Sequence, residues 1–175
     1  MSNYQIDPAH SNIGFNIKHM VVTKVHGAFE KLQGSFTYDA ANPGNSKVEA
    51  TIDATSLNTR DAARDTHLKS PDFFDVEKFP TIHFVSTSFS GTPGDLKILG
   101  NLTIHGVTKA VTLDVEGPSE EIKDPWGNLK IGVSATTKIK RKDFGLTWNA
   151  ALEAGGVLVG EDVNIILDVQ LVKQA

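Results

Sequence analysis

The 175 residues predict an all-β protein: a closed antiparallel eight-stranded barrel with one short helix near the barrel mouth. Three observations carry that expectation. Apolar and polar residues alternate with period two in run after run. Proline- and glycine-bearing turn signals separate the runs at short intervals. One segment alone drops the alternation in favour of helix formers.

In chain order, Asp7-Pro8 gives the first turn, and Ile13, Phe15 and Ile17 then alternate with Asn12, Gly14, Asn16 and Lys18. Asn42-Pro43-Gly44-Asn45 turns the chain into Val48, Ala50, Ile52 and Ala54, which alternate with Lys47, Glu49, Thr51 and Asp53. From Asn58 to Ser70 the alternation stops. Thr55, Ser56 and Asn58 offer N-caps and Pro71 ends the segment, which reads as a helix of roughly three turns. Phe73, Phe74 and Phe79 follow it; the helix either lids the barrel mouth or covers one open end. After Pro93-Gly94-Asp95 come Leu96, Ile98, Leu102 and Ile104 in one phase, with Gly100 among them. Val111, Leu113 and Val115 form the next run. Gly117-Pro118 and Asp124-Pro125, with Gly127-Asn128, separate it from Leu129, Ile131, Val133 and Ala135. Gly155-Gly156 precedes the last run, Val163, Ile165, Leu167, Val169 and Leu171. Eight or nine strands so spaced make a sandwich or a barrel. Without repeats or a linker, residues 1–175 read as one domain.

Composition narrows the function. Seventeen basic against 21 acidic residues, a net charge of −4, argue against a nucleic-acid footprint. The one dense basic run, Lys138–Lys142, reads as the solvent face of a strand. No cysteine is present, which removes disulfides, thiolate catalysis and cysteine-ligated zinc. No apolar stretch is long enough for a transmembrane segment. The opening Met1-Ser2-Asn3-Tyr4 shows no secretory signal, so the expected compartment is the cytoplasm.

An eight-stranded barrel is just wide enough to be filled by its own side chains or to hold one small ligand. The inward phase includes Ala50, Ala54, Gly100, Val133 and Ala135, small residues that leave room. The phase is otherwise apolar, which suits a hydrocarbon guest.

Candidate chemistry is sparse. Asp7, His10 and Ser11 crowd one Asp-Pro turn, where they cap rather than form a triad. The six histidines show no metal-ligand spacing, so no metal site is expected. Gly155-Gly156 lacks the flanks of a nucleotide loop, and no cofactor is expected. No nucleophile or carboxylate pair stands out, so no catalytic residue is assigned. His19 falls in the inward phase, as a satisfied core group or a partner for a ligand head group. Arg64 lies on a charged helix face or reaches a phosphate or carbonyl at the mouth, and Arg141 carries the same ambiguity. A ligand carrier, a barrel filled by its own side chains that serves as an interaction module, and an enzyme acting on a lipid are the three readings these residues admit.

Four motifs in order resemble the YceI-like family along nearly the whole chain. They are Tyr4-x-Ile6-Asp7 with His10-Ser11, Phe15 and His19; Arg64-Asp65-x-His67-Leu68 with Ser70, Asp72-Phe73-Phe74-Asp75 and Phe79-Pro80; Gly100-x-Leu102-Thr103-Ile104-x-Gly106-Val107-Thr108-Lys109; and Arg141-x-Asp143-Phe144-Gly145-Leu146. The resemblance implies a lipocalin-like, non-enzymatic barrel whose tunnel takes a long-chain amphiphile such as a polyisoprenoid, a quinone precursor or a fatty-acid-like lipid. It also implies a homodimer. Resemblance and phase together nominate Phe15, Ile17, His19, Phe36, Ile52, Phe74, Phe84 and Leu102 as ligand-lining. They leave Arg64 and Arg141 as head-group contacts or members of a buried ion pair.

Overall fold

A computed structural model describes residues 1–152 and 156–175, so Gly155 of the last turn signal lies outside the described residues. The strands are β1 (Ser2–Ile6), β2 (Asn12–His19), β3 (Thr23–Phe29), β4 (Leu32–Tyr38), β5 (Lys47–Asp53) and β6 (Leu57–Asn58), then β7 (Thr81–Thr92), β8 (Gly94–Ile104), β9 (Val107–Gly117), β10 (Ile122–Lys123), β11 (Leu129–Lys140) and β12 (Val159–Lys173). Helix α1 (Ala62–Lys69) lies between β6 and β7.

These segments make eight barrel positions. β1 and β2 run in one direction along the same edge of β12, β1 against Leu171–Lys173 and β2 against Val159–Asp168. β4 pairs with β1 and β3 with β2; β5 pairs with β4 and β6 with β3. β1 with β2, β3 with β4 and β5 with β6 are thus each a single barrel strand broken by a short irregular stretch. β7, β8, β9, β11 and β12 supply the other five, every neighbour antiparallel, and the β11–β12 ladder closes the ring. β10 is a two-residue ribbon folded onto the start of β11.

The first break is the Asp7-Pro8 turn. Asp7 Oδ1 accepts from Ala9 N at 3.1 Å and Asp7 Oδ2 lies 2.8 Å from His10 Nδ1. Ser11 Oγ instead bonds the Gln170 backbone, donating to its O at 3.3 Å and accepting from its N at 3.1 Å. The hydroxyl therefore serves β12 and not the histidine.

The alternation holds through the wall: residues 13, 15, 17, 48, 50, 52, 96, 98, 102, 104, 111, 113, 115, 133, 135 and 163–171 in odd steps face the interior. Three features differ from the sequence expectation. The helix is shorter, capped by Asp61 Oδ1 accepting from Arg64 N at 2.9 Å. Thr55, Ser56 and Asn58 do not cap it, because Ala54–Ser56 forms a 3₁₀ turn and Leu57–Asn58 still pairs with β3. Gly100 leaves no room: a Cβ there would sit 2.3 Å from the Phe84 ring, so the glycine seats an aromatic from the neighbouring strand. Gly27 does the same for Phe15, at 2.4 Å.

The basic run also divides. Lys138, Lys140 and Lys142 are exposed, whereas Arg141 turns inward and is 2% exposed.

Connections 20–22, 59–80 and 105–106, with residues 141–152 and 156–158, gather at the barrel end that carries α1. The two-residue His105-Gly106 hairpin there has φ of +56° and +73°, as so tight a turn requires. Both chain termini, with connections 39–46 and 118–128, lie at the opposite end.

Candidate functional site

The barrel encloses a cavity of about 360 Å³, inside the range of roughly 300–1,000 Å³ typical of small-molecule sites. Its wall draws on every barrel strand and on α1. Lining residues on β8 run from Leu96 to Ile104, eight residue steps, or about 26 Å along the strand and roughly 20 Å along the barrel axis once strand tilt is included. The space is thus long and narrow.

All ten residues nominated from the sequence lie on this wall: Phe15, Ile17, His19, Phe36, Ile52, Arg64, Phe74, Phe84, Leu102 and Arg141. The structure groups them. Phe15, Phe29 and Phe74 form an aromatic row below the mouth, with ring centroids 5.7 Å apart at each step. Phe36 sits at the other end, stacked with Tyr38 at 5.3 Å and Phe89 at 6.0 Å and tilted against Tyr4 at 6.2 Å. Ile17, Ile52, Phe84 and Leu102 form the apolar stretch between.

Side chains with polar atoms are unevenly spread. His19, Arg64, His67, Trp148 and Arg141 all line the helix-bearing end, and Thr137 lies next to them on β11. Ile6, Leu96, Val115, Pro118, Val169 and Leu171 line the far end with no polar side chain.

The two arginines differ in what their donors reach. Arg141 Nε donates to Gly160 O at 2.8 Å, Nη1 to Leu146 O at 2.7 Å and Trp148 O at 2.8 Å, and Nη2 to Val159 O at 3.4 Å. Glu161 lies 3.8 Å away, so carbonyls rather than an ion pair hold this buried cation. Burial pulls its pKa down and Glu161 pushes it back up. Arg141 thereby ties the 146–148 segment to the start of β12 and braces the mouth.

Arg64 projects from the first turn of α1. Nε donates to Thr59 Oγ1 at 2.8 Å and Nη2 to Thr59 O at 2.6 Å. Two of its five N–H donors are so engaged, and the side chain also lines the cavity. Asp65 fixes the same threonine, accepting from Thr59 N at 2.9 Å and Thr59 Oγ1 at 2.5 Å. One turn on, His67 bonds Asp72 at 2.9 Å and packs edge-on against Phe73 and Trp148, with centroids at 5.1 and 4.8 Å.

His67, Phe73, Trp148 and Leu158 on this rim escaped the sequence nominations. The available signals were the helical spacing of His67, three residues after Arg64, and the motif that carries both His67 and Phe73, whereas Trp148 and Leu158 lie in irregular segments outside the matched motifs. Among the described residues no cluster of histidine and carboxylate groups has the makings of a metal site, and no helix is long and apolar enough to cross a membrane.

Comparison with known proteins agrees with this architecture. The model of the YceI-like domain matches residues 4–171. A UPF0312 protein of Staphylococcus aureus is 42% identical over 165 residues, covering 93% of each chain. BcnA of Burkholderia cenocepacia superposes with a TM-score of 0.80 at 23% identity, covering 94% of this chain and 98% of that one. A polyisoprenoid binding domain from Saccharophagus degradans, implicated in plant cell wall breakdown, superposes with a TM-score of 0.71 at 16% identity, covering 99% of this chain and 100% of that one. Both structural likenesses are likenesses of fold.

Proposed function

The chain belongs to the YceI-like family, and from that premise we propose that it works as one domain over residues 1–175 that carries or sequesters a long-chain amphiphile inside its barrel, without catalysing a reaction. One observation carries the reading: the cavity is apolar along its length and gathers its polar side chains at one end. Such a wall suits a molecule with a hydrocarbon tail and a single polar head. The tail lies among Ile17, Ile52, Phe84 and Leu102 and ends near Phe36. The head meets the remaining donors of Arg64, with His19 and His67 beside it. The polyisoprenoid-binding domain on the same fold supports this class of guest. Fatty-acid-like lipids and quinone precursors share the tail and head that the cavity asks for. A barrel packed full with its own side chains is the poorer alternative, because the interior keeps about 360 Å³ open.

Native mass spectrometry of the freshly purified protein, followed by organic extraction, tests the reading. The expected result is one long-chain amphiphile per chain, lost in a folded Phe15→Gln/Phe74→Gln double variant. A protein that emerges empty and takes up neither a prenyl alcohol nor a long-chain fatty acid overturns it. The same spectrum counts copies, and the homodimer that family resemblance implies appears there as twice the chain mass.

A further inference from the structure

The turn joining β2 to β3 is built from the wrong residues for a tip in water. Met20, Val21 and Val22 stand 54%, 60% and 79% exposed. Tips of this kind ordinarily take Gly, Asn or Asp. Here Met20 and Val21 hold φ of +54° and +69°. Val22 N donates to Met20 O at 2.8 Å, closing a three-residue turn of the strained hand on a β-branched residue. Directly beneath, Lys18 and Lys24 face one another across the β2–β3 ladder, both exposed. Like charges placed opposite one another repel. Apolar side chains, a strained backbone and two facing cations thus coincide within seven residues.

The tip is also continuous with the cavity mouth. His19, the residue before it, lines the cavity. Met20 N donates to Leu158 O at 2.9 Å, and Leu158 lines the cavity too. Val157, next to Leu158, is 47% exposed.

Two of these disadvantages reverse at an anionic bilayer. Exposed apolar side chains enter the interface, and lysines meet lipid phosphates. We propose that the Met20–Val22 tip, with Lys18 and Lys24 beneath it, docks the barrel mouth onto an anionic lipid surface. The proposal rests on the cavity taking an amphiphile, because docking sets the mouth against the phase where amphiphiles reside. Charge complementarity and continuity with the mouth select a bilayer as the occupant over a second copy of the chain, whose own facing lysines would repel these.

Vesicle flotation tests it, with phosphatidylcholine alone and with one third phosphatidylglycerol. The wild-type chain is expected to float with the anionic vesicles and poorly with the neutral ones. Val22→Glu should lower vesicle affinity about tenfold or more. Lys18→Gln/Lys24→Gln should lower it about tenfold on anionic vesicles only. Uptake of the fluorescent fatty acid cis-parinaric acid, measured without vesicles, should stay at the wild-type level in each variant, which keeps folding out of the comparison. Wild-type protein that takes up the fatty acid but does not float overturns the docking tip alone. So does Val22→Glu that floats undiminished, or a dimer that Val22→Glu splits. Protein that floats but takes up no fatty acid overturns the cavity reading and leaves the tip standing.

Discussion

At the far end of the barrel, Tyr4, Tyr38 and Phe89 stack around Phe36, and the 118–128 connection is pinned across the opening by charge. Glu121 accepts from Tyr4 Oη at 2.8 Å and from Lys173 Nζ at 2.7 Å. Lys130 Nζ lies 2.8 Å from Asp7 and 3.7 Å from Asp124. At the helix-bearing end the elements are short or irregular, and Arg141 holds them through backbone carbonyls. The donors of Arg64 there are only partly engaged. The difference separates two parts of one wall: side chains tied to one another close the far end, and the near end, with Arg64 only partly engaged, is the one the proposed amphiphile head would meet.

Substitution should break or sharpen that contrast. Arg141→Ala has the largest expected effect, since it strips donors from four carbonyls, two of them fully buried and two partly. Denaturant titration should show a loss of roughly 3–5 kcal/mol, and Arg141→Lys should recover only part of it, because an ammonium cannot span the same carbonyls. A loss below about 1 kcal/mol would remove Arg141 as the brace of the mouth.

Phe36→Ala should lower stability by about 3 kcal/mol, and Phe74→Ala, half-buried at the mouth, by about 1 kcal/mol. The reverse order would erase the distinction between the ends. Arg64→Gln removes two hydrogen bonds to Thr59 and is expected to lower stability by about 1 kcal/mol while weakening long-chain fatty-acid binding about tenfold in a fluorescence titration, with little effect on a neutral prenyl alcohol. Equal losses for both ligands would mean that Arg64 shapes the wall instead of meeting a charged head.

The smallest effect concerns acid. The hydrogen bond from Lys130, helped by His10, holds the Asp7 carboxyl below its ordinary value of 3.8 despite burial. Lys173 and then Tyr4 hold Glu121 below 4.5. Folded values below the unfolded ones contribute stability that is present at neutral pH and lost as the pH falls past 4.5 and 3.8 toward the lowered values. Thermal unfolding scanned across that window should show the loss, and Asp7→Asn should flatten it.

Much of this was legible in the sequence because the interior is built from period-two alternation. The phase of residues 13–17, 48–52 and 96–104 places the wall correctly, and the ten nominated residues follow from phase and motif. Other features carry no such period. β7 shifts register between Ser86 and Ser88, so Phe84 and Phe89 both face inward across an odd step. Gly27 and Gly100 look like gaps and serve as seats for rings. The rim residues Phe73, Trp148 and Leu158 sit in irregular chain, where no spacing announces a direction. The helix start moved to Asp61 because the sheet continued to Asn58, a tertiary pairing that overrides good local caps.

The three broken strands have a mechanical meaning. Their breaks fall at 7–11, 30–31 and 54–56, and the last two are bridged by Asp53 N to Lys31 O at 2.9 Å and Glu30 N to Ser56 O at 3.2 Å. In the rest of the ring β8, β9, β11 and β12 run as single strands of 11, 11, 12 and 15 residues. One wall is therefore a creased panel and the other a stiff one. For the amphiphile carrier proposed above, the expected consequence is that a guest of greater girth is accommodated at the crease, with the long strands holding the bore at constant length.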